Sequence, residues 1–74
     1  MMVYEVENRS KRAFLIGIND HVKGGTVKLG ADQKPSSISI DPGATVQVIE
    51  KCGKKLSEEW PGEIKVIRKV NRKE

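Results

Sequence analysis

Residues 40–67, IDPGATVQVIEKCGKKLSEEWPGEIKVI, decide the fold of this chain. The stretch opens with Asp41-Pro42-Gly43, in which proline presets φ and glycine accepts a positive φ, as a type II turn requires. Val46 and Val48 then alternate with polar residues, the period of a strand with one buried face. These residues predict a tight turn that leads directly into a strand.

A short helix is predicted after Glu50, where the apolar period changes from two to between three and four. Lysines and glutamates fall on one side of this helix, and the apolar residues form a stripe on the other, namely Ile49, Cys52, Leu56 and Trp60. Pro61 disfavours helical backbone at the residue before it, and Gly62 follows. Gly53 costs a helix about 1 kcal/mol relative to alanine, so we expect it to lie close to a strand. We expect Trp60 to be buried and to seat the helix on the sheet.

The first part of the chain is predicted to supply sheet. Tyr4 and Val6 face inward in a first strand, and residues 12–18 form the most apolar run, a candidate for a central strand. The polar residues 8–11 connect these two segments. A connection this short is typical of an antiparallel pair, so we expect a hairpin.

Three more strands complete the prediction. Residues 26–29 follow a loop, residues 19–25, whose two glycines predict a hairpin turn rather than a phosphate-binding loop, because no helix follows them. Residues 36–40 alternate isoleucine with serine, which is typical of an edge strand. Residues 63–70 alternate imperfectly, and a bulge near Ile67 would reconcile their pattern. The predicted class is α+β, mainly β: a small antiparallel sheet curled into a sandwich or partial barrel, with one short helix before the last strand.

The 74 residues predict one small β-rich domain, residues 1–70, and a basic, disordered tail, residues 71–74. A chain of this length buries only about 60% of its unfolded surface, so its core is thin. Burial and chain entropy nearly cancel in domains of this size. Stabilisation by self-association or by a protein partner is therefore expected.

Composition also sets expectations about chemistry and location. One cysteine and one histidine supply neither a disulfide nor a metal site, so we expect no metal and no cofactor. The N-terminal residues lack the basic start and apolar run of a secretory signal, and no run approaches the ~20 apolar residues of a membrane span. We expect a soluble, intracellular protein without membrane contact.

No motif predicts catalysis. Asp20-His21 is the only pair that suggests proton transfer, but neither serine nor cysteine stands in an activating context beside it, and a plain loop histidine is the expectation. Cys52 lies near the start of the helix and beside Lys51, which favours a thiolate, yet its place on the apolar stripe favours packing. The chain is therefore not expected to be an enzyme.

The net charge of +4 keeps a nucleic-acid interpretation open. Residues 68–74 carry four basic and one acidic side chains, a net +3, which leaves +1 for the rest of the chain. A small β-barrel that contacts phosphates is the alternative hypothesis. Its candidate contacts are Arg68, Lys69, Arg72 and Lys73.

Several short motifs in residues 38–67 carry a resemblance. In order they are Pro42-Gly43, Thr45-Val46-Gln47-Val48, Gly53, Leu56, Trp60-Pro61-Gly62 and Ile64-Lys65-Val66. This succession resembles the C-terminal half of many short phage and prophage proteins, which are commonly encoded among virion structural genes of the head, tail or connector. Here Lys51-Cys52 replaces an acidic and apolar pair, and Trp60 stands where tyrosine is common. The resemblance implies a structural accessory protein that binds itself or a virion component, with no catalytic residues. It also implies a location in the cytoplasm of the bacterial host or in the virion.

Overall fold

The structure, a computed structural model, describes residues 2–71. Seven strands and one α-helix make up this part of the chain: β1 (Met2–Asn8), β2 (Phe14–Gly17), β3 (His21–Lys23), β4 (Thr26–Leu29), β5 (Pro35–Ile40), β6 (Thr45–Ile49), α1 (Glu50–Glu59) and β7 (Ile64–Asn71). A single 3₁₀ turn, Ile18–Asp20, joins β2 to β3. The predicted helix and its stop before Pro61 are confirmed.

The strands form two antiparallel sheets. The four-stranded sheet has the order β3-β6-β1-β7, and the three-stranded sheet has the order β2-β5-β4. The predicted class, α+β and mainly β with one helix before the last strand, is confirmed, and no closed barrel forms in the described residues.

One core joins the two sheets and the helix. The four-stranded sheet contributes Tyr4, Val6, Val46, Val48 and Ile64; the three-stranded sheet contributes Phe14, Ile16, Ile38 and Ile40; the helix contributes Cys52. Tyr4 and Val6 therefore face inward as predicted. Burial of these side chains at roughly 25 cal/mol per Å² is the main source of stability.

The helix lies directly against β1. A Cβ atom built on Gly53 would come within 2.6 Å of the Cβ and Cδ2 atoms of Tyr4, a distance that no real side chain adopts. Glycine is required here because the helix backbone itself touches the tyrosine, which confirms the expected close approach.

Two local predictions about the closing strands are also confirmed. Gly43 has φ of +82° and the Ala44 amide donates to the Asp41 carbonyl over 2.9 Å, as a turn with glycine at its third position requires. In β7, Arg68 lies opposite Glu5 while Val66 lies opposite Val6, so Ile67 is the extra residue of a bulge.

The expected β1–β2 hairpin is wrong. β1 is central in the four-stranded sheet, between β6 and β7, whereas β2 is an edge strand that pairs only with β5. The buried Asn8 side chain donates to the carbonyls of Arg12 and Ile40 over 2.6 and 2.7 Å, and its oxygen accepts from the Ser10 amide. These hydrogen bonds fix the path of the connection from the four-stranded sheet to the three-stranded sheet, so β1 and β2 do not pair as a hairpin.

The predicted positions of two strands in the three-stranded sheet are also wrong. Residues 12–18 are predicted to form a central strand and residues 36–40 an edge strand, but β2 is at the edge and β5 is central, paired with β2 and β4. The alternation was misleading because Ser39 is buried and its hydroxyl donates to the Asp41 carboxylate over 2.7 Å. This bond, followed by one from Thr26, lowers the pKa of Asp41.

The hairpin turn at Gly24-Gly25 is wrong for a similar reason. Residues 21–23 of the expected loop form β3, which pairs with β6, while β4 pairs with β5 in the other sheet. Gly24 and Gly25 have φ of +87° and +80°, and a Cβ on Gly25 would lie 2.6 Å from Cγ2 of Ile38. The two glycines allow the chain to cross from β3 in one sheet to β4 in the other while lying close to the side chains of the core.

The end of the chain also differs from the expectation. Asn71, placed in the predicted tail, is the last residue of β7 and pairs with Met2. The remaining tail, residues 72–74, lies outside the described residues.

Candidate functional site: the groove between β2 and α1

A groove of about 710 Å³ separates the outer edge of β2 from α1. Residues 13–17 form one wall, and α1 forms the other with Lys51, Cys52, Lys55 and Leu56. Arg12 and Trp60 lie at one end, where β2 begins and α1 finishes, and Asp20 lies at the other. Strand and helix therefore run in opposite directions along an open channel.

The edge of β2 differs from the other three sheet edges in the described part of the chain. Proteins protect such edges with charges, proline, bulges or shortness. β7 carries Lys65, Arg68 and Lys69 and a bulge; β4 carries Lys28 and a register shift; β3 has three residues and a register shift. β2 has the uncharged sequence Phe-Leu-Ile-Gly in regular register with β5. It is the unprotected edge.

Side chains of β2 alternate between the core and solvent. Phe14 and Ile16 are buried against the core, whereas Leu15 points to the other face and is 64% exposed. On the facing wall, Cys52 is buried and Leu56 is half-buried. The floor of the groove is therefore apolar, and its rim next to Leu15 is open to solvent.

Arg12 is stacked between two aromatic rings at the end of the groove. Its guanidinium carbon lies 4.5 Å from the centre of the Phe14 ring and 4.4 Å from that of Trp60. The two rings meet edge to face at 61°, with centres 5.5 Å apart. Such an arrangement holds the planar guanidinium in one orientation by cation–π contact and leaves its N–H edge available.

The prediction that Trp60 is buried is wrong, since its side chain is 37% exposed. The helical stripe does not extend to this residue because α1 ends at Glu59 and Trp60 takes φ of −130° and ψ of 56°. Trp60 consequently leaves the core and borders the groove.

Cys52 is part of the apolar wall. Burial, assisted by the negative charge of Asp20, raises the pKa of its thiol from 9.0 to about 11. The thiol is neutral at pH 7, so the interpretation of Cys52 as a packing residue is favoured over that of a reactive one.

The other residues considered for chemistry lie apart. His21 is in β3, and its Nε2 donates to the Gly24 carbonyl over 2.5 Å, a structural bond that braces the crossing between sheets. Within residues 2–71, no group of three histidine, cysteine, aspartate or glutamate side chains has the spacing of a metal site.

The two candidate nucleic-acid contacts that the structure describes, Arg68 and Lys69, are not brought together. Arg68 lies opposite Glu5 and donates from Nε to its carboxylate over 3.2 Å. Lys69, on the opposite face of β7, places its ammonium 5.1 Å from the centre of the Tyr4 ring. Arg72 and Lys73 lie outside the described residues.

No helix among the described residues is long and apolar enough to cross a membrane. Comparisons with protein-family models, curated proteins and solved structures found no match for this chain.

The groove was missed by sequence reasoning, although the uncharged run of residues 14–17 is a signal for an unprotected edge once β2 is known to be an edge strand.

Proposed function

We propose that this protein is a phage- or prophage-derived structural accessory protein that binds protein without catalysis, in the bacterial cytoplasm or in the virion. Its partner is a virion component or another copy of the chain, which adds an extended segment to the edge of β2. The observation that carries the proposal is the unprotected edge of β2, open along a groove with an apolar floor. The phage assignment itself is supported by the resemblance in residues 38–67.

Strand addition accounts for the features of the groove. An incoming extended segment satisfies the outward main-chain groups of β2 and places alternate side chains on the floor made by Phe14, Ile16 and Leu56. The main-chain bonds supply affinity and the pockets supply specificity. No group on the groove needs to react, which fits a non-catalytic role.

Leu15→Lys tests this proposal at the site. A lysine in the middle of an edge strand opposes strand addition, and Leu15 is exposed enough to be replaced without loss of the fold. We expect capture of purified virion proteins, or self-association measured by light scattering, to fall by about 10-fold or more.

The matched control is Val27→Lys, on the other edge of the same sheet, where the side chain is 52% exposed. This variant is expected to bind as the unmodified protein does. A strict monomer at high concentration that captures no virion protein contradicts the proposed function, and equal loss in both variants contradicts its location at β2.

Nucleic-acid binding is a second proposal, supported by a cluster of lysines. Lys54, Lys65 and Lys69 line a shallow cleft of about 510 Å³ between α1 and β7. Titration of labelled single- and double-stranded oligonucleotides at two salt concentrations tests it, because binding through phosphates weakens steeply with salt. Deletion of the basic end of the chain is a second test. It must begin at residue 72, since residues 68–71 belong to β7. Absence of binding at low salt removes this proposal.

A further inference from the structure

The helical wall of the groove carries two lysines and one glutamate, Lys51, Lys55 and Glu59. Lys51 and Lys55 are one helical turn apart and both line the groove. In the part of the chain that the structure describes, neither forms an ion pair within 4.0 Å. Two acidic side chains also line the groove: Asp20, at the end where Lys51 lies, and Glu59, one helical turn beyond Lys55. With Arg12, the lining has three basic side chains and two acidic ones. A segment lying along β2 therefore passes between an uncharged strand and a basic helix face.

Arg12 adds a directional group to this charge. Its stacking on Phe14 and Trp60 fixes the plane of the guanidinium. The one ion pair that it forms within residues 2–71, with Glu63, is long at 3.5 Å and open to solvent. A guanidinium has five N–H donors in a rigid fork that matches a carboxylate. Most of these donors remain available to a ligand at the end of the groove.

We infer that the groove selects an extended partner segment in which apolar residues alternate with acidic ones, the carboxylates reaching Lys51, Lys55 and Arg12. This inference rests on the proposed strand addition at β2 and names the chemistry of the segment. The β2 edge requires a polypeptide, because its main-chain donors and acceptors pair with another main chain. The basic helix face then favours acidic side chains and repels basic ones.

Matched synthetic peptides test the inference with the full chain. Three short fluorescein-labelled peptides alternate valine with glutamate, glutamine or lysine, and fluorescence polarisation measures their binding. We expect the glutamate peptide to bind about 10-fold more tightly than the glutamine peptide, and the lysine peptide to bind least. Emission from Trp60, the single tryptophan, and amide shifts in β2 report whether a peptide occupies the groove.

A charge exchange provides the matched control. The double variant Lys51→Glu, Lys55→Glu is expected to reverse the order and prefer the lysine peptide, a gain that an unfolded variant cannot produce. The double variant Lys54→Glu, Lys65→Glu changes charge equally at the other cleft and is expected to keep the original order.

The outcomes separate the two proposals. Equal binding of the glutamate and glutamine peptides, with β2 amide shifts for both, overturns the acidic preference and leaves strand addition standing. Failure of all three peptides to shift β2 overturns the inference and also counts against the groove as the binding site. Preference for the lysine peptide in the unmodified protein overturns the inference alone.

Discussion

Asn8 directs the path of the chain with a single side chain. It is fully buried at the end of β1, and its amide bonds two carbonyls that belong to the connection and to the other sheet. Its oxygen accepts from both the amide and the hydroxyl of Ser10, so all its polar atoms are satisfied. A buried polar group in this position stabilises only one route for the backbone, because any other route leaves it without partners.

Replacing Asn8 with alanine is expected to destabilise the protein by about 1 to 3 kcal/mol, because the buried Ile40 carbonyl loses this donor, whereas the Arg12 carbonyl can still accept from the Ser10 hydroxyl. The isosteric Asn8→Asp is expected to cost at least as much at pH 7, since a carboxylate accepts but does not donate. Urea denaturation measures both.

Ser10→Ala is the control, since Ser10 is only half-buried, and we expect it to cost about 1 kcal/mol or less. An Asn8→Ala variant as stable as Ser10→Ala would show that the path between sheets is held by packing alone.

At the scale of elements, β7 keeps its alternation of inward and outward side chains although it has one more residue than its partner β1. The bulge at Ile67 lets Val66 and Ile64 face the core while Arg68 faces Glu5 on the outer surface. Without it, every side chain beyond the bulge would move to the opposite face. The extra residue itself is exposed, so it contributes little burial.

Deleting Ile67 is therefore expected to be tolerated. Arg68 then follows Val66 and meets Glu5 in a regular ladder, and the free energy of unfolding should change by about 1 kcal/mol or less. Thermal and urea denaturation measure the change.

Deletion of Gln47 is the matched control in β6, whose pairing with β1 contains no bulge. It moves Val46 or Val48 out of the core and is expected to cost about 2 to 5 kcal/mol. Similar effects of the two deletions would contradict the role assigned to the bulge.

At the scale of the whole molecule, burial is unequally distributed between the centre and the β4–β5 hairpin. The molecule is 17 Å thick and 34 Å across, consistent with two packed layers. β1 lies at the centre, with a strand on either side and α1 above it, whereas residues 26–36 are exposed except for the half-buried Gly30. The hairpin of β4 and the start of β5 therefore lacks the burial that stabilises the centre.

Hydrogen exchange is expected to follow this division. Amides of β1 should exchange only through global unfolding, while those of residues 26–34 should exchange at least about 100-fold faster through local opening. Two-dimensional NMR in D₂O measures the rates residue by residue. Equal protection in β1 and β4 would mean that the exposed hairpin is stabilised by contacts beyond the single chain.

Local features of the fold were predictable because short-range rules decide them. The turn at residues 41–44, the helix and its end before Pro61, the bulge at Ile67 and the need for glycine at position 53 all follow from spacing and backbone restrictions. The exposure of Trp60 was not predictable from the stripe, because the helix ends one residue before it. Nor was the groove, since it exists only between two elements that are distant in sequence.

The sequence by itself determined the helix, six of the seven strands in residues 2–71, the fold class and the inward faces of β1, β6 and β7. The tertiary structure alone decided which strands pair, placing β1 beside β6 and β7 and leaving β2 at an unprotected edge. The physical reason is that closing a longer loop costs only about 0.6 kcal/mol for each doubling of its length. Pairing β1 with its neighbour in sequence therefore has only a small entropic advantage. That advantage is easily outweighed by the arrangement of strands that buries the whole core and gives the Asn8 side chain its hydrogen-bond partners.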